Sequence, residues 1–324
     1  MKLQILIPQY KETEEVIKPL LDSIALQQRI DLNEVGVIIC NDGSDVHLSE
    51  EFLNSYPYQI EYYLCEHHGV SATRNACLDR ATADYVMFCD ADDMFYNMCG
   101  LWIIFREMDN GGFDSLVSMF IEESKTPTGE FIFINHETDS TFVHGKVHRR
   151  QYLIDNNIRW NEHLTIHEDS FFNILCQNCS QNVKYCQTPF YLWKWRDDSV
   201  CRHDPKYILK TYNNMLDSND ALIDEFIKRG MSDKVMFYTC FMIFEAYYTM
   251  NKPDWINQDN QSYRTAVEKR FKNYYKKHKK IWTDTPVNDK MMISNGVRTR
   301  LINEGMLMES ITIDAWLKRI EKIK

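Results

Sequence analysis

The strongest constraint on the fold is a regular alternation of short apolar runs with amphipathic stretches between residues 3 and 89. The runs 3–7, 35–40, 60–64 and 85–89 predict strands, while 13–28 and 70–81 carry apolar residues at helical spacing. This order predicts a mixed, mostly parallel sheet flanked by helices, with ligands bound at the carboxyl ends of the strands.

The pattern changes twice along the rest of the chain. Extended runs are predicted at 114–121, 130–134, 140–143 and 190–195, with helices at 149–156 and 168–178. Four further helical stretches follow, at 207–229, 232–250, 262–281 and 310–323. Because 324 residues exceed what one core usually organises, we expect two domains, 1–205 and a smaller helical domain at 206–324.

Composition excludes several protein classes. An apolar content of 44% with 13% aromatic residues is typical of a globular chain and argues against disorder. Uncharged apolar stretches stay far shorter than the roughly 20 residues of a membrane helix, and the first residues turn polar at Pro8, too early for a signal peptide. We therefore expect a cytoplasmic protein whose ten cysteines are reduced thiols.

Charge is unevenly distributed. The net charge of −10 argues against nucleic acid as a partner. The segment 264–280, however, holds eight basic residues and one acidic residue. Two interpretations stay open: the solvated face of a helical bundle, or a peripheral contact with an anionic polymer or the inner face of a membrane.

Acidic residues follow the predicted strands. Asp90, Asp92 and Asp93 come directly after the run 85–89, and Asp42 follows the run 35–40. A solvated turn would explain such acids; alternatively, they bind a hard cation such as Mn²⁺ or Mg²⁺ together with a diphosphate. Arg74 lies near the start of the predicted helix 70–81, a position that favours anions.

Taken together, the motifs resemble family 2 glycosyltransferases of the GT-A fold over residues 1 to 205. They are Pro-Gln-Tyr-Lys-Glu at 8–12, Asn-Asp-Gly-Ser-Asp at 41–45, Gly-Val-Ser-Ala-Thr-Arg-Asn at 69–75, Phe-Cys-Asp-Ala-Asp-Asp at 88–93, His-Gly-Lys-Val-His-Arg-Arg at 144–150, Ile-His-Glu-Asp-Ser-Phe-Phe at 166–172 and Tyr-Leu-Trp-Lys-Trp-Arg at 191–196. Their order and spacing make the joint match specific.

The resemblance implies an inverting, metal-dependent transferase that uses a nucleotide sugar, with the DXD motif at Asp90–Asp92. The nucleotide-sugar site would comprise Pro8, Tyr10, Asp42, His68, Arg74, Asp90, Ala91, Asp93, Lys194, Arg196 and Arg202. Asp92 would bind Mn²⁺ or Mg²⁺, with His203 as a further ligand. Asp169 would act as general base on a hydroxyl acceptor, with Glu168 as the next candidate; otherwise both acids only cap the helix 168–178.

Two rival functions are compatible with parts of this pattern. A nucleotidyltransferase of related fold also needs paired acids and a cation, but it would normally carry a glycine-rich loop after the first strand, where this chain has Pro8 to Glu12. A catalytically silent sugar-nucleotide-binding module has no need of Asp90, Asp92 and Asp169 together. A sugar transferase, with a UDP-sugar donor and a surface glycan or anionic polymer as acceptor, is the interpretation that uses all the motifs.

Overall fold

The computed structural model describes residues 1–139, 141–197, 211–256, 261–303 and 311–323. Its backbone divides into two compact units, Met1–Ser199 and Val200–Lys324.

The first unit is built on a nine-stranded mixed sheet. Its strands are β1 (Leu3–Gln9), β2 (Val35–Asp42), β3 (Gln59–Cys65), β4 (Tyr85–Phe88), β5 (Met94–Phe95), β6 (Ser115–Lys125), β7 (Phe131–His136), β8 (Lys146–Arg149) and β9 (Val183–Trp193). They lie in the order β3-β2-β1-β4-β8-β6-β9-β5, and β7 pairs with the outer part of β6. The four strands from β3 to β4 are parallel, whereas β8 runs antiparallel to both of its neighbours. The predicted fold class is confirmed.

Six α-helices belong to the described part of this unit: α1 (Glu14–Ala25), α2 (Glu50–Leu53), α3 (Val70–Arg80), α4 (Gly100–Asp109), α5 (Arg150–Asp155) and α6 (Glu168–Cys179). A short 3-10 helix, Leu32–Glu34, precedes β2. Helix α1 buries Leu20, Leu21 and Ile24, as its sequence spacing predicted, against the apolar residues of β1 and β2. Ile17 is buried with them, whereas Val16, which the same spacing predicted, is partly exposed. The core therefore lies between the sheet and its helices, and polar side chains are left for the strand ends.

One predicted strand is wrong. Residues 141–143 do not form the extended run expected at 140–143, because the Asp139 carboxylate accepts hydrogen bonds from the backbone N–H groups of Thr141 and Phe142 and folds this segment into a turn. The strand begins instead at Lys146, after Gly145 with φ of +66°. Helices α2 and α4 and the two-residue strand β5 were not predicted.

The second unit is helical throughout its described residues. Its helices are α7 (Tyr212–Lys228), α8 (Ser232–Met250), α9 (Pro253–Ile256), α10 (Gln261–Asp284), α11 (Val287–Asn303) and α12 (Ile313–Glu321). The sequence pattern predicted all of these except α9 and α11. Within the described residues, none of the helices is long and apolar enough to cross a membrane.

The basic segment 264–280 lies on α10, where acidic residues neutralise much of its charge. Arg270 pairs with Asp217 and Asp220 of α7, and Lys277 pairs with Asp220 and Asp224. Lys279 and Lys280 pair with Glu321 and Asp284, and Arg264 lies 4.0 Å from Glu268. Tyr274, Tyr275 and Trp282 are buried. The segment therefore contributes to the packing of the helical unit.

Candidate active site

The site is organised around residues 90–93, called here the carboxylate turn, which follows β4 at the carboxyl end of the sheet. Strand β4 pairs in parallel with β1, and the backbone N–H of Cys89 donates to Leu6. The end of β1 continues into Tyr10 and Glu12 alongside this turn. Parallel pairing thus brings two acidic strand ends together, as the sequence predicted.

Asp92 lies at the open side of the turn and is paired with a guanidinium. Its carboxylate is 3.1 Å from Arg196, and the same guanidinium lies 3.6 Å from Glu12. Burial and the neighbouring Asp90 raise the pKa of Asp92, although Arg196 opposes this shift. Burial likewise raises the pKa of Glu12. Glu12 was not among the predicted site residues, and its place at the end of β1 is the signal that could have identified it.

Arg74 joins two parts of the site. It is 4% exposed, and its guanidinium donates to Asp90 at 2.8 Å and to Glu168 at 3.0 Å. The guanidinium also lies 4.4 Å from the centre of the Trp160 ring. Burial alone would lower the pKa of Arg74, but the two carboxylates raise it, and Arg74 in turn holds the pKa of Asp90 below its usual range against the effect of burial. Arg74 therefore remains charged.

The start of α6 is anchored to α3 through side-chain hydrogen bonds. The amide of Asn75 donates to the Trp160 carbonyl and accepts from the Trp160 N–H, and the Ser71 hydroxyl donates to the Leu164 carbonyl. These bonds fix the loop that leads into Glu168 and Asp169. Because Arg74 lies between Ser71 and Asn75 on α3, the same helix carries both the loop anchors and the guanidinium bridge.

Asp169 has the electrostatic character of a base that works near neutral pH. Burial, followed by the neighbouring Glu168, raises the pKa of Asp169 to about 7, while Arg74 and the Ser170 N–H oppose the shift. The Ser170 N–H donates to its carboxylate at 2.7 Å. Lys146 of β8, a residue of one of the quoted motifs with no role predicted for it, is 1% exposed nearby, and burial lowers the pKa of its amine to about 8.

Asp93 is buried and fixed by two donors. The Tyr191 hydroxyl donates to one carboxylate oxygen at 2.6 Å, and the Lys194 backbone N–H donates to the other at 2.9 Å. Burial, Asp92 and Asp90 raise the pKa of Asp93 well above its usual range. The Nδ1 atom of His144 lies 3.6 Å from the Asp93 carboxylate, and the His144 ring stacks on the ring of Tyr191. Asp93 therefore holds the turn in place, and the sugar contact that the resemblance implies for it stays a prediction.

Two places in the site could hold a cation: the cluster of Asp90, Asp93 and His144, and the carboxylate of Asp92. Atoms of Asp90, Asp93 and His144 lie within 4.8 Å of one another. Asp93 and His144 are almost completely buried, however, and both oxygens of Asp93 already accept hydrogen bonds. Asp90 and Asp92 are the acids accessible to a diphosphate, with 31% and 28% of their side chains exposed. Carboxylate oxygens fit Mg²⁺ or Mn²⁺, so the residues present are compatible with such an ion.

The ends of β1 and β2 and the start of α3 form the part of the site expected to face a nucleotide. The ring of Tyr10 is 43% exposed and stacks on His67 with ring centres 4.9 Å apart. Asp42 is buried, and its carboxylate accepts from the N–H groups of His68 and Gly69. It thereby fixes the backbone just before α3, and a contact with the base or ribose stays a prediction.

The structure thus brings together most of the predicted residues. Pro8 is half-buried near the end of β1, Ala91 is buried within the turn, and Arg196 contacts Asp92. The backbone of Lys194 is tied to Asp93. His68 points to solvent with 66% of its side chain exposed, and its neighbour His67 contacts Tyr10 instead. Arg202 and His203 lie outside the described residues.

Comparison with known proteins identifies the class. The family described as "Glycosyl transferase family 2" matches residues 4–173, more than half of the chain, and the chain therefore belongs to that family. Among curated relatives, the poly(ribitol-phosphate) beta-N-acetylglucosaminyltransferase TarS of Staphylococcus aureus is 26% identical over 189 residues. That alignment covers 54% of this chain and only 32% of the relative, so the similarity spans about a third of TarS.

Solved structures of TarS share the fold. The crystal structure of residues 1–349 of S. aureus TarS superimposes with a TM-score of 0.63 at 16% identity, covering 92% of each chain. The complex of the same fragment with UDP-GlcNAc gives a TM-score of 0.59 at 18% identity, again with 92% of each chain covered. At this level of identity the match concerns the architecture.

Proposed function

We propose that this chain transfers a sugar from a UDP-linked donor to a hydroxyl acceptor with inversion at the anomeric carbon. The observation that carries the proposal is the Arg74 bridge, which links Asp90 of the carboxylate turn to Glu168, directly beside Asp169. One guanidinium thereby holds an acid of the carboxylate turn and the residue next to the candidate base. A single displacement requires such proximity between the donor and the base.

In the proposed reaction, the acceptor oxygen attacks the anomeric carbon while the Asp169 carboxylate takes the hydroxyl proton. The bond from the anomeric carbon to the diphosphate oxygen breaks, and the diphosphate leaves with the electron pair. Arg196, beside Asp92, would face the negative charge that develops on the leaving group. Lys194 follows β9 in the same segment and would add to this positive charge.

A divalent cation fits the donor acids. Asp92, with Asp90 beside it, would hold Mn²⁺ or Mg²⁺, which when bound supplies positive charge to the diphosphate oxygens. Tyr10 and Asp42 would lie at the uracil end of the donor. The resemblance implies His203 as a further metal ligand, and this assignment stays a prediction.

The donor sugar is proposed to be an N-acetylhexosamine or a hexose on UDP, since TarS is named as an N-acetylglucosaminyltransferase and has been crystallised with UDP-GlcNAc. The acceptor is proposed to be a hydroxyl-bearing surface glycan or an anionic polymer, by the same analogy. A nucleotidyltransferase is disfavoured because the turn after β1 lacks glycine, and membership of a glycosyltransferase family supports transfer over silent binding.

The proposal is tested by screening UDP-sugars for release of UDP with Mn²⁺, with Mg²⁺ and with chelator. We expect metal-dependent release from at least one UDP-sugar by the wild type. Asp92→Ala should lose the metal effect, and Asp169→Asn should abolish transfer while still binding UDP, since loss of a general base costs on the order of 10²- to 10⁴-fold in rate. Asp155→Asn, an exposed acid at the end of α5, is the matched control. Wild-type transfer by Asp169→Asn would contradict the assignment of the base.

A further inference from the structure

A tyrosine outside the predicted site connects the carboxylate turn to the strand that leads into Lys194 and Arg196. Tyr191 of β9 is completely buried. Its hydroxyl accepts a hydrogen bond from the Asp90 backbone N–H at 3.2 Å and donates to the Asp93 carboxylate at 2.6 Å. One oxygen atom therefore joins the first and last acids of the turn.

The same turn is attached to β9 at two further points. Directly after the turn, β5 pairs with β9 through Met94 with Leu192 and Phe95 with Tyr191. The second oxygen of Asp93 accepts from the Lys194 backbone N–H at 2.9 Å, where β9 ends. The segment that begins with Lys194 carries Arg196, whose guanidinium returns to the turn at Asp92. The turn and this segment thus form a closed loop of contacts, with the Tyr191 hydroxyl at its buried end.

We propose that Tyr191 is a positioning residue of the donor site: its hydroxyl fixes the carboxylate turn and, through Asp93, holds the segment 194–196 in register with it. The expected effect on donor binding rests on the proposed function, whereas the hydrogen bonds of the Tyr191 hydroxyl are independent of it. Tyr191→Phe keeps the ring and its stacking on His144 at 5.2 Å and removes the hydroxyl that contacts both Asp90 and Asp93, while the bond from the Asp93 N–H to the Asp90 carbonyl remains.

Removal of the hydroxyl leaves the partly buried Asp90 N–H and one buried oxygen of Asp93 without this partner. Buried polar groups that lose a partner are costly, so the turn is expected to relax toward other hydrogen bonds. Because Asp92 lies between these two acids, its carboxylate should no longer be held in one direction. The expected effect is on the metal-dependent part of donor binding, since no hydrogen bond or ring contact among the described residues joins Tyr10 or Asp42 to Tyr191.

Tyr58→Phe provides a matched control for Tyr191→Phe. Tyr58 is also buried, and its hydroxyl donates to the Leu21 carbonyl at 2.7 Å, away from the carboxylate turn. Both variants lose one buried phenol hydroxyl and keep the aromatic ring. A general loss of stability should therefore affect both of them, whereas loss of positioning should affect Tyr191→Phe alone.

The first measurement is amide hydrogen exchange on peptides that cover 86–95 and 190–197. In Tyr191→Phe we expect exchange in both segments to accelerate about tenfold, with the rest of the sheet unchanged. In Tyr58→Phe both segments should exchange as in the wild type. Unchanged exchange of both segments in Tyr191→Phe would overturn the proposal, and so would acceleration of only one segment, because the hydroxyl would then not couple them.

The second measurement is calorimetric titration with UDP at saturating Mn²⁺ and with chelator. Tyr191→Phe should bind UDP with wild-type affinity in the presence of chelator. At saturating Mn²⁺ its UDP affinity should be about tenfold lower than that of the wild type, whereas Tyr58→Phe should match the wild type in both conditions. A wild-type Mn²⁺ effect in Tyr191→Phe would overturn the role in donor binding. If the wild type itself binds no UDP, the proposed function fails, and the exchange pattern alone decides whether Tyr191 joins the two segments.

Discussion

At the scale of single residues, the most consequential side chain is Arg74. A guanidinium offers several donors in a fixed plane, which allows it to contact Asp90 and Glu168 together. Lysine could not satisfy both carboxylates with the same geometry. Sequence reasoning identified Arg74 through its motif and expected it to face the nucleotide. The structure shows that its contacts with Asp90 and Glu168 are internal to the protein.

The first prediction concerns the stability that Arg74 provides. Arg74→Ala leaves two carboxylates without their buried partner, so we expect the free energy of unfolding to fall by about 3–5 kcal/mol. Arg159→Ala is the control, because Arg159 also makes two bonds to one acid, Asp79, but 42% of its side chain is exposed. That loss should be at most about 1 kcal/mol. Urea unfolding measures both values, and equal losses would contradict the importance of burial.

A second residue-scale prediction concerns pH. The pKa of Asp169 is raised to about 7, so a falling pH protonates the proposed base and transfer should decline through pH 7. Glu168 contributes to this rise, and Glu168→Gln should therefore move the inflection to lower pH while transfer persists. The pH profile of transfer, measured beside that of UDP binding, provides the test. Loss of all transfer in Glu168→Gln with an active Asp169→Asn would assign the base to Glu168 instead.

At the scale of elements, the first four strands and α1 could be predicted from apolar spacing, and α3 from a helix start after Gly69. The elements that were missed have physical reasons. Strand β5 has only two residues, and its pairing with β9 comes from distant sequence. The strand expected at 140–143 failed because Asp139 competes for the backbone of that segment. Contacts of Glu12, His67 and Tyr191 depend on such long-range pairing, which local patterns do not reveal.

The element-scale prediction addresses the attachment of α6 to α3. Asn75→Ala removes both bonds to Trp160 and should loosen the start of α6, so we expect transfer to fall about tenfold while UDP binding changes little. Asn33→Ala, an exposed asparagine beside β2, should affect neither measurement. Parallel assays of transfer and UDP affinity on both variants decide the matter. An equal loss of UDP affinity in Asn75→Ala would contradict a role confined to α6.

At the scale of the whole molecule, the most conspicuous feature is the cluster of basic residues at 264–280 in a chain whose net charge is −10. The structure accounts for most of it within the helical unit, where acids of α7 and α12 pair with α10. Of the described basic residues in 264–280, Lys269, Lys272 and Lys276 show no ion pair; Lys269 and Lys276 are exposed, whereas Lys272 is partly buried and donates to the Ile323 carbonyl. The peripheral contact predicted for this segment would therefore depend mainly on two lysines.

The matching prediction is weak binding to anionic membranes. Each basic contact is worth about 1 kcal/mol, so two lysines supply about 2 kcal/mol, too little for stable attachment. We expect negligible sedimentation with phosphatidylglycerol vesicles at physiological salt, and slight binding at low salt that Lys269→Gln with Lys276→Gln removes. Arg270→Gln with Lys277→Gln should chiefly lower the melting temperature. Tight binding at physiological salt that the first pair abolishes would show a membrane role for α10.

The Arg74 bridge also has a consequence for evolution and engineering. A substitution at Asp90 changes the electrostatic environment of Glu168, and a substitution at Glu168 changes that of Asp90, because both act on one guanidinium. Effects at residues that share a partner are not additive. Libraries intended to change donor preference should therefore vary positions 74, 90 and 168 jointly, since the effect of a substitution at one of them depends on the residues at the other two.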